Sequence, residues 1–363
     1  LKNQRHCLPA EYLCGMSEQD AQQERTEISS LGEFRLIDHL AAAFPAPHLP
    51  VHTGIGDDAA VLERNDTHFG LLSTDMLLEG VHFDLAYTPL KHLGYKSVVV
   101  NLSDICAMNG TPEAITVSIG LSNRFSLEAV EELYAGIRMA CTHYGVQLVG
   151  GDTTSSRQGL ILSISATGSV AHEDLVLRKG AKPGDIVCVS GDLGRAFVGL
   201  QLLEREKRVF LEHPNMQPDL SQHARIIEKQ LKPEARLDIV KALRNAGIRP
   251  TSMIDISDGL SSELFHLSKH SGCGFTIMEE RLPISEDVFH QALAFQMDPT
   301  VCALQGGEDY ELLFTIAQED HKLIEGIEDV VMIGYATESD LGLNLISKSG
   351  NRHALKAQGW TAF

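Results

Sequence analysis

The chain has 363 residues, of which 43% are hydrophobic and 22% charged, and it carries a formal net charge of -19 at pH 7. That length exceeds what a single hydrophobic core usually serves, so two domains are expected. The acid excess argues against nucleic acid as a partner, because phosphate backbones are bound by surplus Lys and Arg. Seven cysteines stand singly with no C-x-x-C pair, which excludes the usual zinc and disulfide spacings and suits a reducing cytoplasm. No apolar run approaches the roughly 20 residues that span a bilayer, and the N-terminus has no charged-then-apolar signal pattern.

Residues 1–29 are polar and unpatterned and begin with Leu, so they are expected to lie outside the fold, with Met16 a candidate start. Helical spacing of Phe34, Leu36, Ile37, Leu40 and Phe44 predicts a helix over Gly32–Phe44, stopped by Pro45, Pro47 and Pro50. Ala59–Leu62 and Gly70–Thr74 read as strands. After Pro89 comes a helix whose apolar face is Tyr95, Val98, Val99, Leu102, Ile105 and Cys106, ending at Asn109-Gly110. Asn101 and Asp104 are three apart and share a face of it. A strand at Ala114–Leu121, a helix at Ser126–His143, a strand at Val146–Val149 and a strand at Leu160–Val170 follow.

The turn-rich stretch His172–Gly184 marks a boundary, placed at residue 172. Beyond it a strand at Asp185–Ser190 leads through Gly191 and Gly194 into a helix ending near Leu203, and Glu204–Gln222 reads as a loop or insertion. Then come a helix at Pro233–Ala246, a strand at Met253–Ile256 and a helix at Gly259–His270. Strands and helices alternate from there to Ile346. The expectation is an α/β (α+β) chain of two domains, residues 30–172 and 173–363.

Acids beside Gly, Ser or Thr recur at element ends: Asp57-Asp58, Ser73-Thr74-Asp75, Asp104, Gly150-Gly151-Asp152, Asp255-Ile256-Ser257-Asp258 and Gly306-Gly307-Glu308-Asp309. Singly, each has an ordinary explanation as a solvated turn, a side-chain to backbone bond or a helix cap. Together they predict a carboxylate cluster. Two unit charges about 4 Å apart repel by roughly 4 kcal/mol at an effective dielectric near 20, so such a cluster calls for cations. Hard oxygen ligands select Mg²⁺, usually shared with substrate phosphates. Paired glycines let backbone N–H groups approach an anion closely, and the Arg178 guanidinium suits phosphate oxygens. A charged linker is the plainer account of Arg178, and a structural role that of His82. Gly54-x-Gly56-x-x-Ala59 lacks the strand-then-helix context of a dinucleotide fingerprint, and no G-x-x-x-x-G-K-[ST] loop occurs.

Gly54–Leu62, Ser73–Phe83, Gly94–Gly110, Leu148–Thr154, Arg178–Asp185, Ile254–Leu260 and Gly306–Leu312 resemble the motifs of thiamine-monophosphate kinases, in the superfamily of aminoimidazole ribonucleotide synthetase and selenophosphate synthetase. The resemblance implies an N-terminal domain whose sheet pairs across a homodimer, and ATP bound between the domains. It implies Mg²⁺ on Asp58, Ser73, Thr74, Asp75, Asp104, Asp152, Asp255 and Asp258, with a monovalent cation left open. It implies ATP contacts from Tyr134, Gly151, Asp152, Arg178 and Ser257, and thiamine monophosphate contacts from His82, Glu308 and Trp360. Asp75, Asp104 and Asp152 would matter most. Ala362 stands where the family often has His, and Glu204–Gln222 is longer than usual. The implied activity is direct transfer of phosphate from ATP to thiamine monophosphate. The alternatives are another ATP-using member of the superfamily or a non-catalytic nucleotide-binding regulator.

Overall fold

The computed structural model of the protein describes residues 32–44, 46–214 and 220–356. The 1–29 extension, Trp360 and Ala362 lie outside the described residues. Helix α1 (Glu33–Ala41) forms where apolar spacing predicted a helix, and it belongs to a compact unit separate from the residues after Pro45. Among the described residues no helix is long and apolar enough to cross a membrane. Cys106, Cys141, Cys188, Cys273 and Cys302 are all buried and unpaired.

Six strands between residues 51 and 171 form the first sheet: β1 (Val51–Thr53), β2 (Ala60–Glu63), β3 (His68–Leu78), β4 (Thr111–Leu121), β5 (Gln147–Ser155) and β6 (Ile161–Ala171). Their spatial order is β1-β2-β3-β6-β4-β5. Only β4 and β5 pair in parallel, the crossover being made by helix α3 (Leu127–Tyr144). One face alternates buried Leu71, Ile115, Val117, Ile164 and Ala166. The other carries Thr74, Ser118 and Thr167 with exposed Leu72 and Met76, and every residue of the edge strand β5 is exposed.

The second sheet takes its strands from residues 186 to 354. These are β7 (Ile186–Ser190), β8 (Ser252–Asp255), β9 (Gly274–Met278), β10 (Leu312–Ile316), β11 (Val330–Thr337), β12 (Leu343–Ile346) and β13 (Arg352–Ala354), in the order β13-β12-β9-β11-β7-β10-β8. Of its helices, α4 (Arg195–Glu212), α5 (Ala224–Leu231), α6 (Leu237–Asn245) and α7 (Leu260–Ser271) bear on the site. Together the two sheets make a mixed α/β fold.

Helix α2 (Leu90–Ala107) joins the halves. Its sequence is apolar almost all round, with Leu93, Val98, Val99, Leu102 and Ile105 fully buried, the pattern of a helix with protein on every side. It packs on the first sheet and also on β8, α5 and α6 of the second half. Each such side chain removed from water stabilises by about 1.5–3 kcal/mol. Even its polar residues Lys96, Ser97, Asn101 and Ser103 are buried, so each must find a partner inside.

Three expectations are corrected. Strand β3 does not stop at Thr74 but runs to Leu78, because its ladder with β6 is unbroken from His68 to Leu78, so Ser73–Asp75 lie in mid-strand. Strand β5 likewise runs on through Gly150-Gly151-Asp152, held by β4. The stretch Glu204–Gln222 is helical up to Glu212, its Glu, Arg and Lys residues being good helix formers.

Helices α2 and α3 cross through facing glycines. A Cβ on Gly94 would sit 2.0 Å from the carbonyl oxygen of Leu133, and one on Gly136 would sit 1.9 Å from that of Lys91. These are backbone obstacles that no side-chain rotation relieves. Gly136→Ala is therefore expected to destabilise the protein by at least about 2 kcal/mol through overpacking, although alanine is the better helix former in isolation. A melting temperature equal to that of the unaltered protein would contradict this packing.

Candidate functional site

Strand β3 presents alternate residues to opposite faces. Ser73 and Asp75 point toward α2, where the Ser73 hydroxyl donates to Asp104 Oδ2. The Asp75 N–H donates to Asn101 Oδ1 at 2.9 Å, and Asn101 is itself anchored to the Ser97 carbonyl at 3.1 Å. The shared helix face predicted for Asn101 and Asp104 is thus used in full. From the second half, Asp255 at the end of β8 accepts a 2.6 Å bond from the Ser103 hydroxyl. From the β1–β2 loop comes Asp58, whose Oδ1 receives Arg178 Nη2 at 2.5 Å and Nε at 3.2 Å. The neighbouring Asp57 takes the backbone N–H of Arg178 at 3.1 Å.

Carboxylate oxygens of Asp58, Asp104 and Asp255 all lie within 4.8 Å of one another, and the carboxyl of Asp75 adjoins that of Asp104. Burial, then the negative charges around it, pushes Asp104 well above the usual carboxylate range. Asp255 is raised to about 8, first by burial and then by Asp58. Asp75 reaches about 6, mainly by burial. Asp57 reaches about 7 by burial and the adjacent Asp58. Glu263 on α7, buried beside Asp258, is also held well up. One arginine does not neutralise this set. Asp58 Oδ2 is buried with no hydrogen-bond partner among the described residues. An oxygen-rich, charge-deficient cluster with an orphaned acceptor fits a hard divalent cation, so Asp58, Asp104 and Asp255, with Asp75 adjoining, can hold a metal ion.

The remaining expected residues fall into two further groups. Glu308 and His82 lie together, His82 lowered by burial although the charge of Glu308 opposes this. Backbone N–H groups of Glu308 and Tyr310 donate to the carbonyls of Ser257 and Ile256 at 2.7 and 2.8 Å, docking the 306–310 loop on the segment after Asp255. Tyr310 senses the charges of Glu308, Asp75, Asp255 and Asp104 alike, so this group adjoins the cluster. Ser257 is exposed in the same loop pair, and the Asp258 N–H donates to Glu263 Oε1 at 3.0 Å.

At the far edge of the first sheet, Tyr134 lines a cavity of about 460 Å³ with Ile137, Cys141, Val146 and Leu148, beside the strand that holds Gly151 and Asp152. Strands β6 and β4 separate β5 from β3, which is about 14 Å at the usual strand spacing. Asp152 pairs with Ser118 on the exposed face. Within one chain the structure therefore does not bring Asp152 to Asp58, Asp104 and Asp255. Thr74 also points away, its hydroxyl donating to the Ile164 carbonyl at 3.2 Å on the open face. Sequence reasoning missed Ser103, Glu263, Lys96 and Gln230. Lys96 left a signal, a cation within an otherwise apolar helix.

A model of the family described as AIR synthase related protein, N-terminal domain, matches residues 56–170. The thiamine-monophosphate kinase of Buchnera aphidicola subsp. Schizaphis graminum is 38% identical over 316 residues, 83% of this chain and 92% of the relative. The chain belongs to the thiamine-monophosphate kinase family. The family member from Aquifex aeolicus is 36% identical over 292 residues, covering 80% of this chain and 88% of its own. A solved structure described as AaThiL complexed with AMPPCP and TMP superimposes with a TM-score of 0.80 at 33% identity, covering 94% of this chain and 100% of its own. Similarity to this family therefore extends over both sheets.

Because Asp75, Asp57 and Asp255 titrate higher folded than unfolded, the native state holds protons that the unfolded chain has lost. Their contribution to stability is full below about pH 4 and disappears as pH rises through the folded values, about 6, 7 and 8. Asp309, buried at the start of α4 and also raised to about 7, adds to the fall. The melting temperature of metal-stripped protein is expected to drop between about pH 5 and pH 8.5. Millimolar Mg²⁺ should restore much of the loss at the alkaline end and do little at the acid end. Calorimetry showing no such pH-dependent response to Mg²⁺ would contradict a cation at this cluster.

Proposed function

We propose that the protein transfers the terminal phosphate of ATP directly to thiamine monophosphate, giving thiamine diphosphate, at the cluster built by Asp58, Asp75, Asp104 and Asp255. The observation that carries this reading is the convergence of acids from both halves of the chain on α2. Magnesium ions held there would offset the charge of the two phosphate-bearing substrates and draw their reacting oxygens together.

The protein's own residues have the task of alignment. The acceptor is a phosphate with a second pKa near 6, already ionised at neutral pH, so no side-chain base is needed. Ser73 and Ser103 orient Asp104 and Asp255, and their hydroxyls are thereby occupied. Arg178, seated on Asp58, is placed to turn its free edge to a phosphate oxygen. Glu308 and His82, one loop away, form the wall for the thiamine end. On this reading residues 30–172 carry most of the phosphate machinery, with His82 and a dimer contact, and 173–363 adds Arg178, Asp255 and the Glu308 wall over the acceptor.

A homodimer completes this reading. Among the described residues the first sheet leaves β5 unpaired at its edge, with Leu72 and Met76 exposed on its open face, a surface natural proteins seldom leave bare. Two copies paired through that sheet would bring Asp152, Gly151 and the Tyr134 cavity of one protomer toward the acidic cluster of its partner. Tyr134, Ile137 and Leu148 offer the apolar walls that a flat base requires.

Incubation with ATP, Mg²⁺ and thiamine monophosphate is expected to yield thiamine diphosphate and ADP, without accumulation of a phosphorylated side chain. Failure to form the diphosphate would overturn the assignment. Asp104→Asn should fold and melt no lower than the unaltered protein, because it removes a buried charge that its neighbours repel. Its turnover should fall by at least about a hundredfold. Normal turnover of that variant would remove Asp104 from the machinery.

A further inference from the structure

Lys96 sits in the middle of α2 and is only 2% exposed. A buried ammonium is costly unless it is paired and hydrogen-bonded. Its Nζ donates to Glu308 Oε2 at 2.9 Å and to the Gln230 carbonyl at 3.1 Å. Gln230, 5% exposed on α5, adds its own Nε2 to the same oxygen at 2.6 Å. Both donors therefore converge on one carboxylate oxygen, and neither hydrogen bond uses Oε1.

The backbone beneath Glu308 is equally constrained. Glu308 and Tyr310 have φ of 65° and 50°, a left-handed conformation that side-chain-bearing residues seldom adopt. Gly307 lies so close to the preceding loop that a Cβ would meet the Ser257 carbonyl oxygen at 2.3 Å. Strained backbone of this kind persists only where its surroundings over-determine it. Here three segments distant in sequence, α2, α5 and the 306–310 loop, aim a single carboxylate.

Charge gives the arrangement its purpose. Tyr310 is within reach of Glu308 and of Asp75, Asp104 and Asp255 together, so an unpaired Glu308 would feel the field of the acidic cluster. Lys96 offsets that repulsion from behind and leaves the front of the carboxylate available. Thiamine monophosphate carries what such a group binds: a cationic thiazolium ring and an aminopyrimidine N–H donor.

We infer that Lys96 and Gln230 are positioning residues for the acceptor, fixing Oε2 of Glu308 so that Oε1 receives the thiamine moiety. This rests on the kinase reading given above and extends it to α5, a helix outside every recognised motif. Neither residue touches the transferred phosphate, so their removal should weaken acceptor binding while leaving nucleotide handling intact.

The test is steady-state kinetics of the full chain with ATP, Mg²⁺ and thiamine monophosphate. Lys96→Met and Gln230→Leu are each expected to raise KM for thiamine monophosphate by at least about tenfold, with KM for ATP changed by less than about twofold. Glu308→Gln should show the same split. Adding Lys96→Met to Glu308→Gln should cost little more, because both act through one carboxylate. A folded Lys96→Met or Gln230→Leu variant with unchanged KM for thiamine monophosphate overturns the inference, as does a double variant whose losses simply multiply. Gln230→Leu, which removes no buried charge, carries the test if Lys96→Met does not fold. No thiamine diphosphate from the unaltered protein overturns the kinase reading, and the inference with it.

Discussion

The structure depends on carboxylates that cannot be left alone where the fold puts them. Asp104 and Asp255 come from different halves of the chain, yet their oxygens share a space under 5 Å across with Asp58. Water is largely excluded there, so mutual repulsion is barely screened. The fold tolerates this because α2 is buried on all sides and cannot retreat. Its apolar residues are the hydrophobic core of the junction, and displacing it to separate the charges would expose Leu102 and Ile105. Hydrophobic burial thus holds an electrostatic strain in place, which is how a binding site is kept ready for a cation.

The polar residues of α2 divide the work. Asn101 secures β3 to the helix, Ser103 secures β8, and Asp104 is directed by Ser73. Lys96, two turns earlier, serves the 306–310 loop. Three segments are set from one helix, so their relative positions do not depend on loop lengths elsewhere. Groups on rigid, buried elements keep the geometry that alignment of two anions demands. The exposed loop residue Ser257 has a looser frame.

Much of this was legible in the sequence, for a physical reason. Acids beside Gly, Ser or Thr at the ends of apolar runs mark places where the chain gives up packing for chemistry, and Asp58, Asp75, Asp104 and Asp255 carry that mark and converge. The helix of Tyr95 to Cys106 was visible from its spacing. What failed was judgement of where strands end. Gly70–Thr74 was cut short at Asp75 because a carboxylate reads as a turn former, whereas an eleven-residue ladder with β6 overrides local preference. Helix α5 was missed altogether, its short amphipathic run hidden behind the charged stretch that precedes it. Gln230 went with it, since nothing in a lone glutamine signals that it will meet a glutamate 78 residues further on.

Asp152 shows the limit of adding up motifs. Its Gly-Gly-Asp surroundings are as suggestive as those of Asp75, and by composition alone the two belong together. Sheet order separates them, because β6 and β4 stand between their strands and the two side chains lie on opposite faces. A motif records which chemistry a residue is suited to, whereas topology decides with whom it can perform it. In the dimeric reading proposed above, Asp152 would reach the cluster across a subunit boundary, from the face where Leu72 and Met76 are exposed. The residue is then an argument for association as much as for catalysis. A site divided in this way would be complete only in the pair, so that an isolated protomer would hold metal and acceptor walls but lack half of its grip on the nucleotide.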